Sequence, residues 1–268
     1  MRFASSNNGE TLGDPIVLNT PQDYPTAITQ IKDVAKSLMQ SKSVNGVYGG
    51  IAGVLNEKKS GLLRAPHLPN WEGAELQKDF SEIFGTQVGL ENDCAVAGLG
   101  EAVGGAGKNY SIVAYLALGT GVGGTRIQNN KIDQGRANFE VGHQIINITG
   151  PKCPGCGGLG HLESYVSGSA LQKQHGRKLN ENGDEQAWDE IAEFLSIGIH
   201  NLNMHWSPDV VVIGGAIGSH EGLKIETVKK YLKQLPSPFP KLPEVKKSTL
   251  GELAGLYGAL ELLRNMNN

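Results

Sequence analysis

Two apolar runs in this chain end in the same way, and that shared ending limits the fold more than any other feature. "YSIVAYLALGTGVGG" and "DVVVIGGAIG" each run through a β-branched, apolar stretch and stop abruptly in glycines, at 118–124 and 213–218. An apolar run of this length bounded by glycine reads as a buried strand feeding a tight turn. Between and around the two runs lie segments of helical period. Residues 26–39 place Ile28, Ile31, Val34, Ala35 and Leu38 on one face, with Pro25 at the first turn. Residues 75–84 repeat the pattern with Leu76, Phe80, Ile83 and Phe84. Residues 187–203 do so more strongly, with Trp188, Ile191, Leu195, Ile199 and Leu202, and 252–264 close the chain as a helix. "VNGVYGGIAG" and "QVGLEND" read as further strands, and Asn129-Asn130 as a hairpin turn. "SPFPKLPEVKK" is broken by prolines and reads as a surface loop. Strands alternating with helices give an α/β protein.

Composition narrows the function classes. Of the 268 residues, 39% are hydrophobic and 19% charged, enough to build a sizeable core. A net charge of -3 offers no electrostatic footprint for nucleic acid or an anionic membrane. No apolar run approaches the ~20 residues that span a bilayer, and the N-terminus lacks a basic start followed by an apolar stretch. Three cysteines, two of them close together, argue against a disulfide framework and for a cytoplasmic protein.

Three motifs carry chemistry. Glycines after the two apolar strands let backbone N–H groups approach an anion or a flat ring, although each turn taken alone is equally a plain turn. Asn92-Asp93 falls where a strand ends and a helix begins. The dipeptide by itself favours an N-cap, and the other reading is an acidic base at the carboxyl end of a strand, where open α/β sheets bind ligands. The third motif, His143, Cys153, Cys156 and His161, gives H-x9-C-x2-C-x4-H. Thiolate and imidazole donors at this spacing suit a tetrahedral zinc, and four protein ligands make the site structural. Cys94 is remote and reads as a small buried residue.

The order and spacing of "GGIAGVLNEKKSGLLRAPHLPNWEG", "LENDCAVAGLGE", "LALGTGVGGTRI", "FEVGHQ", "CGGLGHLESYVSG", "VVIGGAIG" and "GLYGALELL" resemble the ROK family of repressors, open reading frames and kinases over nearly the whole chain. The resemblance implies an actin-like ATPase (ribonuclease H-like) fold, with two α/β lobes and a cleft between them. The first lobe would take residues 1–105 and 250–268, and the second 106–249 with a zinc loop at 143–161. It implies ATP-dependent phosphorylation of a hexose or N-acylhexosamine, glucose favoured, with ATP, Mg2+ and a structural Zn2+. The partners implied are a small sugar and ATP, in a homodimer, without nucleic acid or membrane.

Residue by residue, Asp93 matches the family's catalytic base and Asn92 a ligand of a sugar hydroxyl. Glu140, His143 and Glu163 match residues that bind the sugar ring, and Gly53 a turn close to it. Gly119, Thr120, Gly121 and Gly123 match a phosphate loop, and Gly214 and Gly215 the adenosine turn. His143 is expected both to ligate zinc and to face the sugar, so that the metal fixes the loop carrying the sugar contacts.

The chain departs from the family pattern in three places. The family's cysteines follow C-x-C…C spacing; here the first gap is one residue longer and His161 replaces the last cysteine, a change zinc tolerates. His67 stands where the family often has Asn, a point for sugar choice. Met1 falls just after the position of the family's first strand and Asp-x-Gly-Gly-Thr loop. The expectation is a start about ten residues upstream, compatible with a loop-first architecture; the alternative is a sugar-binding pseudokinase or regulator. The family's transcription factors carry a winged helix ahead of this domain, for which the chain has neither room nor basic charge.

Overall fold

The computed structural model describes residues 1–40, 42–135, 138–177 and 184–267. Two units emerge, Met1–Gly100 with Leu253–Asn268, and Glu101–Glu252.

The first unit begins with two short antiparallel strands, β1 (Arg2–Phe3) and β2 (Ile16–Val17). Helix α1 (Tyr24–Met39) follows. The Asp23 side chain caps it by accepting from the Thr26 N–H at 2.9 Å, and Pro25 sits in its first turn. Ala27, Ile31, Val34 and Ala35 form its buried stripe, and Gln40 ends it in the left-handed region. Strand β3 (Val47–Ile51) leads to the small hairpin β4 (Val54–Leu55) and β5 (Leu62–Arg64), then to α2 (Leu76–Phe84), which Gly85 closes at φ 65°. Strand β6 (Val88–Asn92) lies parallel to β3, from Val47 opposite Val88 to Ile51 opposite Asn92. The apolar faces of these elements meet in a core of Ile51, Leu62, Leu68, Trp71, Leu76, Val88 and Leu90. Helix α3 (Asp93–Gly104) begins at the end of β6 and carries the chain toward the second unit.

The second unit is built on a mixed five-stranded sheet. β7 (Ile112–Leu118), β8 (Val122–Gln128) and β9 (Lys131–Ile132) run antiparallel. The β8–β9 turn is Asn129-Asn130 with φ 50° and 60°, the left-handed pair a two-residue hairpin needs. Short helices α4 (Glu163–Val166) and α5 (Gly168–His175) precede the long α6 (Glu185–Trp206). Helix α6 buries Trp188, Ile191, Leu195, Ile199 and Leu202 along one stripe, each contributing roughly 1.5–3 kcal/mol by leaving water. β10 (Val210–Gly214) is buried throughout and pairs parallel with β7, giving way to the single-turn α7 (Gly215–Gly218) and to α8 (Ile225–Leu232).

One sequence expectation fails here. "SPFPKLPEVKK" is not wholly loop: β11 (Glu244–Lys247) lies at the sheet edge, parallel to β10, with Val245 buried. A four-residue edge strand with one inward side chain carries almost no periodicity of its own, and its partner strand supplies the pairing.

The chain then returns to the first unit as α9 (Ala254–Asn267). Where α3 meets α9, a Cβ on Gly100 would overlap the Ala254 carbonyl oxygen, and one on Gly258 would overlap that of Val96. Backbone packs on backbone here, which only glycine permits. At the start of the second unit, the fully buried Glu101 gathers four donors. Oε1 accepts from Ser248 Oγ at 2.6 Å and Leu250 N–H at 2.8 Å, and Oε2 from Ala106 N–H at 2.8 Å and Thr249 N–H at 3.2 Å.

Candidate active site

In the first unit, the end of β6 separates two tasks that the sequence left on one dipeptide. Asn92 Oδ1 accepts from the N–H groups of Cys94 (3.0 Å) and Ala95 (3.1 Å), so Asn92 is the cap of α3. Its amide donates to the Gly53 carbonyl at 3.2 Å. Gly53 has φ 126°, and a Cβ there would come within 2.7 Å of the Arg64 carbonyl oxygen, so no other residue fits the turn. With the cap satisfied by its neighbour, Asp93 presents its side chain to solvent at the N-terminus of α3. The surrounding protein partly desolvates the carboxyl and raises its pKa. The N–H groups of Cys94 and of Asp93 itself, and the charge of the exposed His67, oppose that rise.

In the second unit, a metal loop forms between β9 and α4. Gly142 packs so closely on the Val122 carbonyl that a side chain would collide with it, which sets the 3-10 turn Val141–His143 against β8. Isolated bridges from Ile145 to His161 and from Lys152 to Leu159 draw the loop together. Within it the Cys153 N–H donates to Gly158 O at 2.7 Å and the Gly157 N–H to Cys153 O at 2.9 Å. The donor atoms of His143, Cys153, Cys156 and His161 all lie within 4.8 Å of one another. His143 Nδ1 is 3.6 Å from each of the two sulfurs, and His161 Nδ1 is 3.3 Å from Cys156 Sγ. A tetrahedron with bonds of about 2.0–2.3 Å has edges of roughly 3.3–3.8 Å; these three separations lie in that range while the set as a whole spans up to 4.8 Å, so the cluster is compatible with zinc in chemistry and near it in spacing. Because Nδ1 of His143 faces the sulfurs, Nε2 points away, 3.7 Å from Glu140 Oε2. Burial above all, with the Glu163 carboxylate, pushes the Cys153 thiol up to about 11 against the lowering effect of the Cys156 and Gly155 N–H groups.

Glu163 lies beside this loop and is only 7% exposed. Oε2 accepts from the Val122 N–H at 2.9 Å; Oε1 accepts from the Gly155 N–H at 3.1 Å and from the Cys153 thiol at 3.2 Å. The family resemblance assigns Glu163 to the sugar ring, whereas both of its oxygens here serve protein donors. Glu140, by contrast, is exposed.

The two glycine turns differ in what their glycines are for. Gly215 has φ 82° and its Cβ would overlap the Leu118 carbonyl, and a Cβ on Gly214 would strike the Tyr115 hydroxyl, so packing against β7 accounts for both. At Gly119 a Cβ would meet nothing within 4 Å. The Gly119–Thr120 turn is held from behind by the first turn of α5, where Gly168 N–H donates to Gly119 O at 2.7 Å and Ser169 N–H to Thr120 O at 3.1 Å. Gly123 continues into β8 opposite Ala117. Sequence reasoning did not single out Gly168 and Ser169; the visible sign was Ser167, which caps α5 by accepting from the Ala170 N–H.

The ROK family pattern matches residues 2–266. The chain belongs to the ROK family. It is 30% identical over 268 residues to an N-acetyl-D-glucosamine kinase of Citrobacter koseri, covering 90% of this chain and 88% of that one. It is 25% identical to a ROK family glucokinase from Streptomyces griseus solved in complex with glucose and AMPPNP, with a TM-score of 0.81 over 98% of this chain and 96% of that one. It is also 30% identical over 210 residues to the xylose repressor of Bacillus subtilis, covering 70% of this chain and 53% of the repressor. The fold is that of the actin-like ATPases. Among the described residues, no helix is long and apolar enough to cross a membrane.

Proposed function

We propose that this ROK protein is an ATP-dependent sugar kinase acting on a hexose or an N-acylhexosamine, with glucose and N-acetylglucosamine the leading substrates. The observation that carries the reading is Asp93, an exposed carboxylate with a raised pKa at the carboxyl end of β6, where Asn92 takes the main capping bonds and Asp93 Oδ1 accepts only from the Cys94 N–H. A general base needs reach and a pKa moved toward neutrality, and Asp93 has access to both. The relatives described as N-acetylglucosamine kinase and glucokinase support the substrate class.

In this reading Asp93 accepts the proton of the attacking sugar hydroxyl as the new O–P bond forms, the bond between the β,γ-bridging oxygen and the γ-phosphorus breaks, and ADP leaves. Phosphoryl transfer is loose, so base assistance is modest and positioning dominates. Gly53 and Asn92 shape the sugar side of the first unit. Glu140 and the outward nitrogen of His143 bind ring hydroxyls, with zinc on the other nitrogen fixing the imidazole. The turn 119–123 offers backbone N–H groups to phosphate, Gly119 keeping that approach clear of side chains, and Gly214-Gly215 brings backbone up to the adenosine. Mg2+ neutralises phosphate charge when bound.

The test is Asp93→Asn. A coupled ADP assay across a sugar panel should show turnover falling by about 10²–10⁴, while calorimetry shows sugar affinity within a few-fold of wild type. Unchanged turnover removes Asp93 from the mechanism. A wild type that binds sugar and releases no ADP decides for a sugar-binding regulator, the reading favoured by the likeness to the xylose repressor.

A further inference from the structure

We propose that Glu163 is a positioning residue that ties the metal loop to the glycine turn before β8, so that order in one is transmitted to the other. The inference goes beyond the kinase reading and stands on the geometry of the second unit alone. A single buried carboxylate joins two segments far apart in sequence. On one side it holds the Val122 N–H, directly after the turn 119–121; on the other it holds the Gly155 N–H, between the two cysteines. Both segments lack side chains where they meet it. A Cβ on Gly121 would lie 2.8 Å from Oε2 and one on Gly155 2.6 Å from Oε1. Each oxygen thus occupies a socket formed by a glycine and an N–H group. The Gly155 N–H loses no proton when metal binds, so metal loading leaves this tie intact, whereas it would remove the bond from the Cys153 thiol; without metal the tie lasts only as long as the loop stays in place. A carboxylate suits the task because it presents acceptors in two directions. An amide presents only one, and its NH2 end would face an N–H donor.

Amide hydrogen exchange reads this directly. In zinc-loaded wild type, Val122 and Gly155 exchange slowly. Chelation speeds exchange across 151–158 and, through Glu163, at Val122 as well, by about tenfold or more, as expected for losing an acceptor to a charged group. In Glu163→Gln, Val122 or Gly155 exchanges fast from the outset, and zinc removal now moves only 151–158. The proposal is overturned if chelation of wild type loosens 151–158 and leaves Val122 untouched. It is equally overturned if Glu163→Gln keeps both amides as slow as wild type. Should Glu163→Gln not fold, the wild-type chelation arm decides alone. Elemental analysis separates the two layers: a chain without zinc refutes the metal reading, and the Glu163→Gln arm then decides the tie itself. Neither arm depends on phosphoryl transfer, so a failed kinase assay leaves both interpretable.

Discussion

Replacing Glu101 with Gln should destabilise the protein far more than an isosteric change of one atom suggests. Glu101 is fully buried, and its four donors are three backbone N–H groups and one hydroxyl, split two to each oxygen. Gln keeps one oxygen and turns an NH2 group toward the other pair. With the NH2 toward Ala106 and Thr249, two N–H groups lose their acceptor; with it toward Ser248 and Leu250, the hydroxyl can turn to accept and the Leu250 N–H alone is orphaned. A buried group left unsatisfied costs about 1–3 kcal/mol, and the bonds that survive are no longer to a charged acceptor. The favoured flip therefore costs roughly 1–3 kcal/mol. For a chain of this size each kcal/mol shifts Tm by about 2–4 °C, so the melt should fall by around 2–12 °C. Differential scanning calorimetry on wild type and Glu101→Gln measures it. Ser248→Ala is the control, since it removes one hydroxyl donor to Glu101 and frees only the exposed Gly251 N–H, which water can take up; it should cost about 0.5–1.5 kcal/mol. A Glu101→Gln melt within a degree or so of wild type would refute the reasoning.

Two further outcomes follow from the site. The Asp93 carboxyl pKa is raised in the folded chain, so its ionised form opposes folding in full above the folded-state value; the opposition fades as pH falls from there to the unfolded-state value and is gone below it. Asp93→Asn should therefore melt higher than wild type at pH 7 and converge with it toward pH 4; equal melts at both pH values would contradict the desolvated acid. Purified protein should also carry close to one zinc per chain, and Cys156→Ser should lower that below about half an equivalent after a chelator wash, with wild-type-like retention in the variant counting against the site.

How much of this was legible beforehand depended on where each interaction keeps its information. β7 and β10 were readable because buried strands write themselves as apolar runs, and α6 because its stripe repeats at helical spacing. The metal residues were readable because three of the four lie within nine positions, and the structure brings all four together. β11 was hidden, since an edge strand takes its definition from β10 and its own four residues show one apolar side chain. Glu101 was hidden for a related reason: three of its partners lie 147 to 149 positions away, and no local pattern marks a carboxylate that answers to distant backbone. At Asn92-Asp93 sequence posed a choice between cap and acid; in the structure Asn92 takes the Cys94 and Ala95 N–H groups, and Asp93 shares only the Cys94 N–H.

The bare-backbone crossing of α3 and α9 has a practical consequence for anyone editing this gene. Because Gly100 and Gly258 let the two helices touch without side chains between them, the axial placement of α3 is dictated by the last fifteen or so residues of the chain. Asp93 is the first residue of that same helix. A deletion at the C-terminus, or a tag that pries α9 loose, is thus an edit to the acid at residue 93 made from about 165 positions away. In the proposed kinase reading, loss of activity after such trimming would look like a folding accident in a harmless tail, when the damage would be a shift in the seating of one carboxylate.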